Sequence, residues 1–332
     1  MRKTIKAIMI ASLMATSAFS AQYVLKFSYV VSPDTPKGKA ATYFAKRLEQ
    51  LSGGKINVQL YPNAQLYGDK AVLKALILNS VQMASPSFAK FGRFVPQLAL
   101  FDLPFLFKDM NHVHKVEDSA VGAKLKNMVT KKGYVALDFW DNGFKQLTSS
   151  KKAILWPKDA KGQKFRIMSS KVLEAQFKVV GANPQMMPFS EVYSALQQGV
   201  IDAEENTVSN IYTKKFYEVQ KYMTMSNHGY LGYLVVMSKT FWNSLTPALK
   251  KDVKKAMKEA TAKERQYAIE LNNSQFKKIE AYAKQTGKLK IYHFTPAQRA
   301  AWVKIERTIY PQFYSKNKIG KSLIESALKL GQ

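Results

Sequence analysis

The stretch YVLKFSYVVSPDTPKGKAATYFAKRLEQLSGGKINVQLY (residues 23–61) places a helical pattern between two short apolar runs. The first run is rich in β-branched and aromatic residues, and the second alternates apolar and polar residues as a half-buried strand does. Between them Thr35 is a good helix N-cap, Pro36 suits the first helical position, and Gly53 begins a glycine pair that ends the helix. This order predicts a βαβ unit with parallel strands and a right-handed crossover.

The same alternation of strand and helix continues down the chain. Ser170 and Ser190 are each expected to cap a helix that follows a strand. Such alternation is typical of α/β architecture. The further strands are predicted near residues 134–140, 164–169, 184–189 and 200–205, and the further helices near residues 69–80, 115–131, 171–180 and 191–198.

A different pattern begins after residue 240. Residues 247–287 have no Pro or Gly between Pro247 and Gly287, and Thr246 is a suitable N-cap. At 1.5 Å per residue this predicts one helix of roughly 60 Å, which exceeds one small domain, so we expect it to span two. Thr295 and Gln298 then form a capping box for a further helix.

The N-terminus predicts export. Arg2, Lys3 and Lys6 precede a short apolar run that is followed by small residues, and cleavage near Ser20 fits this pattern. The run is too short for a membrane span. We therefore assign residues 1–20 to a signal peptide and expect the mature protein in the periplasm.

The charge of the chain is strongly positive. Its 51 basic residues against 23 acidic residues give a net charge of +28, and loss of the three cations of the signal peptide leaves +25. The lysines are spread over the whole chain, with neither an arginine-rich block nor a basic stripe interleaved with aromatic residues. We therefore expect no nucleic-acid partner.

The chain carries little that predicts catalysis. It contains no cysteine, and the HExxH, GxSxG, GxGxxG and phosphate-binding-loop motifs are absent. His112 and His114 are expected on one face of a strand, and without acidic partners at helical spacing they predict no metal site. We expect no cofactor, no metal and no enzymatic activity.

One arginine stands out in the segment KFRIMSS (164–170). The chain has 44 Lys and 7 Arg, so lysine is its usual cation, yet Arg166 lies in an apolar strand between Phe165 and Ile167. This choice suggests that a planar, bidentate group is needed there. The alternative is an arginine that extends to the surface or joins a salt bridge.

Seven motifs occur in a fixed order along the chain: SPDTPKGKAA, GGKINVQLYPNAQLYGD, FDLPFLF (101–107), NGFKQLT (142–148), KFRIMSS, MPFSEVYSALQQGVIDAEEN (187–206) and FYEVQKYMTMSNHGYLGYLVV (216–236). Together they resemble the extracytoplasmic solute receptors of tripartite ATP-independent periplasmic (TRAP) transporters, of the DctP type. The resemblance runs collinearly over residues 23–245, and the last third fits by helix pattern only.

The resemblance implies a two-lobed α/β fold with a ligand cleft between the lobes, crossing hinge strands and a long helix that spans both lobes. Lobe I would comprise residues 21–143 and 232–270. Lobe II would comprise residues 144–231 and 271–310. A C-terminal helical segment would cover residues 311–332.

The resemblance also implies the site. Arg166 matches the arginine that clamps the ligand carboxylate, Asn206 the asparagine that contacts it, and Phe189 an aromatic wall. Lys145 stands where many relatives carry a second arginine, so a second bidentate clamp is in doubt although an anionic contact is still permitted. Ser87 stands where receptors for amino-bearing sugar acids have an acid, which argues against that substrate class.

Three further residues carry open alternatives. Tyr29 and Trp140, near strand ends, are either cleft walls or packing residues. His228 is either a structural histidine or a ligand contact.

These observations predict a monomeric periplasmic receptor for a small organic acid anion, with a C4-dicarboxylate such as succinate, fumarate or malate as the first choice. A TRAP permease of one small and one large integral membrane subunit would receive the ligand. The alternatives are a 2-oxo or hydroxy monocarboxylate bound by the same fold, or a periplasmic enzyme.

Overall fold

The described part of the protein, residues 21–332 of a computed structural model, contains nine strands and twelve α-helices. The predicted signal peptide lies outside the described residues. The strands are β1 Tyr23–Ser28, β2 Ile56–Tyr61, β3 Met83–Ala84, β4 Tyr134–Ser149, β5 Lys164–Ile167, β6 Asn183–Met186, β7 Ala203–Thr207, β8 Tyr222–Ser238 and β9 Lys290–His293. Within this range no helix is both long enough and apolar enough to cross a bilayer.

The helices lie mostly between successive strands, as the α/β prediction requires. Short 3₁₀-helices occur at Phe88–Phe91, Pro96–Asp102, Pro157–Ala160, Phe189–Glu191 and Arg307–Phe313. The α-helices are α1 Pro36–Leu51, α2 Val72–Ile77, α3 Met110–Asp118, α4 Ala120–Thr130, α5 Lys171–Val179, α6 Val192–Gln197, α7 Val208–Thr213, α8 Phe216–Val219, α9 Lys239–Ser244, α10 Pro247–Thr286, α11 Pro296–Glu306 and α12 Lys321–Lys329.

One mixed sheet joins all the strands in the order β2-β1-β3-β8-β4-β7-β5-β6, with β9 paired to β8. Strand β1 is parallel to β2, which confirms the predicted βαβ unit. At the other end β5 is parallel to both β6 and β7. The sheet thus has two outer parts, each a parallel group with its own helices.

The long strands β4 and β8 connect these two parts. They run antiparallel over 16 and 17 residues, and irregularities in their register allow them to bend. The predicted lobe boundaries at 143 and 231 fall inside these two strands, and the boundaries themselves stay predictions.

The 40-residue helix α10 packs against both parts of the sheet. Thr246 caps its start by accepting a hydrogen bond from the Leu249 amide, and Gly287 ends it in the left-handed conformation, as predicted. Thr261 accepts a hydrogen bond from Trp140 of β4, and Asn272 accepts one from the Ser209 amide of α7. The helix therefore holds together elements that are far apart in the sequence.

Some local predictions were wrong. Ser190 does not cap α6, because a 3₁₀-turn precedes that helix and its N-cap is Glu191, without a side-chain bond. His112 and His114 lie in helix α3, not on a strand. Strand β4 continues to Ser149 because its polar residues pair across β7 and β8.

Candidate functional site

A cleft of about 1410 Å³ lies between the two outer parts of the sheet. One wall comes from the first half of the chain, at residues 68–71 and 89–93. The other comes from residues 169–172 and 186–190. Residues of the C-terminal segment, including Phe313 and Ile319, line its rim.

Arg166 lies on β5, directly behind one wall of this cleft. Its Nε and Nη2 atoms donate to the carbonyl oxygen of Met187, a cleft residue, at 3.2 and 2.9 Å. The residue is only 3% exposed, yet no carboxylate of the described chain lies within 4.0 Å of its side chain. Burial lowers the pKa of Arg166, while the charges of Glu204 and Glu205 oppose this.

Phe189 lies near Arg166, and Asn206 lies on β7, the strand that pairs with the strand of Arg166. Phe189 is half-buried, lines the cleft, and has its ring centroid 5.9 Å from the guanidinium carbon. Asn206 is buried on β7, where its Nδ2 donates to Glu204 Oε2 at 3.2 Å and its Oδ1 accepts from Asn210 at 2.8 Å. Because Glu204 pairs in register with Arg166, the asparagine and the arginine belong to one stretch of neighbouring strands.

Lys145 is not a free cation. Its Nζ is 1% exposed and donates to Glu205 at 2.7 Å, and His228 Nε2 lies 2.8 Å from the other oxygen of the same carboxylate. Burial alone would raise the pKa of Glu205, but these two neighbours hold it below its usual value. Lys145 and His228 thus belong to an internal ion-pair network, and these contacts favour the structural alternative for His228.

The surroundings of Tyr29 and Trp140 favour packing roles in the unliganded structure. Trp140 is 0% exposed and donates from Nε1 to Thr261 at 3.0 Å. Tyr29 is 3% exposed in the main core, edge-on to Phe27, and contact of either ring with a ligand stays a prediction. Burial raises the pKa of Tyr29 to about 12.

Ser87 lies beside the crossing strands. It is 3% exposed, pairs with Tyr233 through an isolated β-bridge, and its Oγ has no hydrogen-bond partner in the described structure. A buried hydroxyl without a partner is unusual and is consistent with a group that awaits a ligand.

The sequence reasoning missed two buried charged residues near these groups. Lys37, on α1, is 1% exposed and donates to the carbonyl oxygen of Ser85 at 2.9 Å. Asp102 lines the cleft with its Oδ2 unpartnered, and burial raises the pKa of Asp102 to about 6. A signal for Lys37 was available, because a cation in the first turn of a helix opposes the helix dipole.

A second polar cluster lies outside the cleft. His114, Glu117 and Asp141 have ligand atoms within 4.8 Å of one another, so the statement that no acid stands at helical spacing from His114 was wrong. His114 Nε2 lies 2.7 Å from Asp141, Tyr230 bonds both acids, and Arg265 contacts Glu117. These partners account for the cluster, and we assign no metal to it.

The comparisons with known proteins agree with this architecture. Residues 27–317 match the family model DctP, described as bacterial extracellular solute-binding protein, family 7. The chain belongs to this family. The C4-dicarboxylate-binding periplasmic protein DctP of Shewanella loihica is 44% identical over 329 residues, 98% of this chain and 96% of its own length.

Two solved structures of TRAP-type receptors and their relatives extend the comparison. A TRAP periplasmic solute-binding protein from Sulfurospirillum deleyianum with bound succinate is 57% identical, with a TM-score of 0.91 over 94% of this chain and all of that one. A sugar acid binding protein from Advenella mimigardefordensis in complex with galactonate is 33% identical, with a TM-score of 0.88 over 93% of this chain and 97% of that one. The DctP-family chain thus has the two-lobed fold of these receptors.

We predict that Lys145→Met destabilises the protein, because it leaves the charge of Glu205 buried and without its cation. Removal of one partner of a buried ion pair costs about 3–5 kcal/mol. Urea denaturation measures this loss, and the double variant Lys145→Met/Glu205→Gln should recover most of it. Unchanged stability of the single variant would contradict the structural role of this lysine.

The second prediction concerns Glu264 of α10, whose Oε2 accepts from the Asp141 amide at 2.8 Å and whose Oε1 is buried without a partner. Burial raises the pKa of Glu264 well above its usual 4.5, and the charge of Asp141 adds to this. The folded protein therefore holds a proton that the unfolded chain releases, and stability falls as pH rises from about 4.5 through the raised pKa.

We expect Glu264→Gln to be more stable than the parent at pH 8, by about 1 kcal/mol or more, and to lose this advantage at pH 4. Glu259→Gln on the same helix is the control: Arg47 donates to Glu259, and this bond lowers the pKa of Glu259. The control should therefore be slightly less stable at neutral pH. Chemical denaturation at each pH measures the free energy of unfolding of both variants. A Glu264→Gln variant that is less stable than the parent at pH 8 would contradict the raised pKa of Glu264.

Proposed function

We propose that this protein is a periplasmic receptor that captures a C4-dicarboxylate, such as succinate, fumarate or malate, and delivers it to the small and large membrane subunits of a TRAP permease. The receptor acts as a monomer after signal-peptide cleavage near Ser20. It binds its ligand without converting it.

The observation that carries this proposal is the state of Arg166. A buried cation is stable only if an anion or enough hydrogen bonds compensate for lost hydration. Arg166 has a single backbone carbonyl as its hydrogen-bond partner and no carboxylate within 4.0 Å in the described chain. A ligand carboxylate would supply the missing negative charge.

The neighbours of Arg166 fit this role. A planar guanidinium binds a carboxylate through two parallel hydrogen bonds, each worth about 1.5–3 kcal/mol to a charged group. Asn206 would orient the same carboxylate, and Phe189 would cover the carbon chain of the ligand. A micromolar dissociation constant requires only about −8 kcal/mol, so a few such contacts are sufficient after ordering costs.

Closure of the two parts of the sheet would complete the site. The strands β4 and β8 and the helix α10 join the two sides of the cleft. A small rotation about these connections would exclude water and strengthen each charged contact.

One observation favours the monocarboxylate alternative. Lys145, the second cation that the sequence suggested for a dicarboxylate, is paired with Glu205. One relative binds galactonate, a ligand that has a single carboxylate. Dicarboxylate selectivity therefore requires another cation.

We predict that Arg166→Lys weakens succinate binding at least about 100-fold, because lysine keeps the charge but lacks the planar pair of donors. Isothermal titration calorimetry measures the dissociation constant. Arg93→Lys is the matched control, since Arg93 lines the same cleft but is exposed, and its affinity should stay within about twofold. Equal affinities of Arg166→Lys and the parent would contradict the proposal.

Thermal melts with a panel of organic acids separate the alternatives. A ligand at 100 times its dissociation constant stabilises the folded state by about 2.7 kcal/mol. Stabilisation by dicarboxylates supports the proposal, and stabilisation by monocarboxylates alone supports the alternative. Recovery of unchanged succinate after incubation with equimolar protein would exclude a periplasmic enzyme acting on succinate.

A further inference from the structure

Three basic side chains of the described chain are almost completely buried: Lys37, Lys145 and Arg166, at 1%, 1% and 3% exposure. Lys145 has its carboxylate partner Glu205 at 2.7 Å. Across residues 21–332, neither Lys37 nor Arg166 has a carboxylate within 4.0 Å. A buried charge without a counter-ion is costly, and an anionic ligand would reduce this cost for Lys37 and Arg166.

The groups around Lys37 are suited to binding an anion. Its Nζ donates to the Ser85 carbonyl at 2.9 Å and lies 3.5 Å from the ring centroid of Tyr233, which leaves at least one N–H group available. The hydroxyls of Ser85 and Ser87, on the segment that accepts the lysine, are buried and have no partners. Burial lowers the pKa of Lys37 to about 8, so the ammonium is still mostly charged at neutral pH.

A continuous polar network leads from Lys37 toward Arg166. Tyr233, under the ammonium, accepts from Asn142 Nδ2 at 2.5 Å, and Asn142 Oδ1 accepts from Thr207 at 2.6 Å. Thr207 follows Asn206 on β7.

The network continues on β7 to Asn206, whose Oδ1 accepts from the Thr207 amide at 3.2 Å and whose Nδ2 donates to Glu204. Glu204 is the backbone register partner of Arg166 across β7 and β5, but its carboxylate does not lie within 4.0 Å of the guanidinium. Burial lowers the pKa of both Lys37 and Arg166, and the charge of Asp69, on the cleft wall, partly opposes this in each case. The two cations thus lie in one electrostatic environment, with Lys37 on α1 at the β1–β2 end of the sheet and Arg166 on β5 at the other end.

We propose that Lys37 binds the second carboxylate of the ligand and makes the receptor selective for dicarboxylates. The inference rests on the proposed function, in which Arg166 binds the first carboxylate. A dicarboxylate would compensate both buried cations and link the two sides of the cleft. A monocarboxylate would leave Lys37 as it is in the unliganded protein and would gain no affinity from it.

The assignment also explains two departures from ordinary sequence preferences. A lysine in the first turn opposes the dipole of α1, whose first turn contains no acid. The next residue, Gly38, has no Cβ, and a Cβ at this position would lie 2.4 Å from the Ser32 carbonyl oxygen. The glycine therefore allows the start of α1 to pack closely on the loop after β1. This packing fixes the backbone that carries Lys37.

Succinate and butyrate test the proposal, since they share a four-carbon chain and differ by one carboxylate. Lys37→Met should weaken succinate at least about 100-fold and change butyrate by less than about threefold, with affinities measured by calorimetry or by displacement. Arg166→Lys should weaken both ligands. The selectivity for succinate over butyrate should therefore collapse only when Lys37 is changed.

Other outcomes overturn the proposal in distinguishable ways. If the parent binds succinate and Lys37→Met binds it equally well, or loses both ligands to the same extent, Lys37 is not the selectivity residue. If the parent binds no succinate, the proposed function fails and this inference fails with it. Lys37→Gln, which keeps a donor for the Ser85 carbonyl, and thermal melts of each variant exclude loss of the fold as the cause.

Discussion

The binding site depends on one constraint: the guanidinium of Arg166 is buried, and no carboxylate of the described residues lies within 4.0 Å of it. Arg166 is anchored on β5 between two parallel neighbours, and Met187 provides its one hydrogen-bond acceptor. The field of Glu204 and Glu205 reduces the cost of its burial, but neither acid forms an ion pair with it. The fold thus leaves Arg166 beside the cleft without an internal counter-ion, so that the carboxylate of a ligand can bind there.

Chemical type alone did not reveal which cations are free. Lys145 matched a family contact by position, yet its partner Glu205 stands 60 residues further along the chain and reaches it only after β4 and β7 pair. Lys37 carried no family role in the sequence analysis, yet of the two buried lysines in residues 21–332 it is the one without a carboxylate within 4.0 Å. The pairing of charges depends on strand register, and no local pattern encodes that register.

Much of the fold followed from local rules. Thr35, Thr246 and Thr295 cap their helices as predicted, and α10 begins and ends where its capping residues place it, because capping needs only a few adjacent residues. The extent of β4 did not follow, since Asp141 to Ser149 are mostly polar and their burial is possible only through cross-strand partners. Trp140 was ambiguous for the same reason: whether an aromatic residue near a strand end faces a cleft or a helix depends on where α10 packs.

The most direct test of the central claim is a crystal structure of the protein with succinate. We predict a closed cleft, with one carboxylate held by two hydrogen bonds of about 2.8 Å from Arg166 and the other within hydrogen-bond distance of Lys37. Succinate bound elsewhere, or Arg166 paired with Glu204 while succinate occupies the cleft, would contradict it.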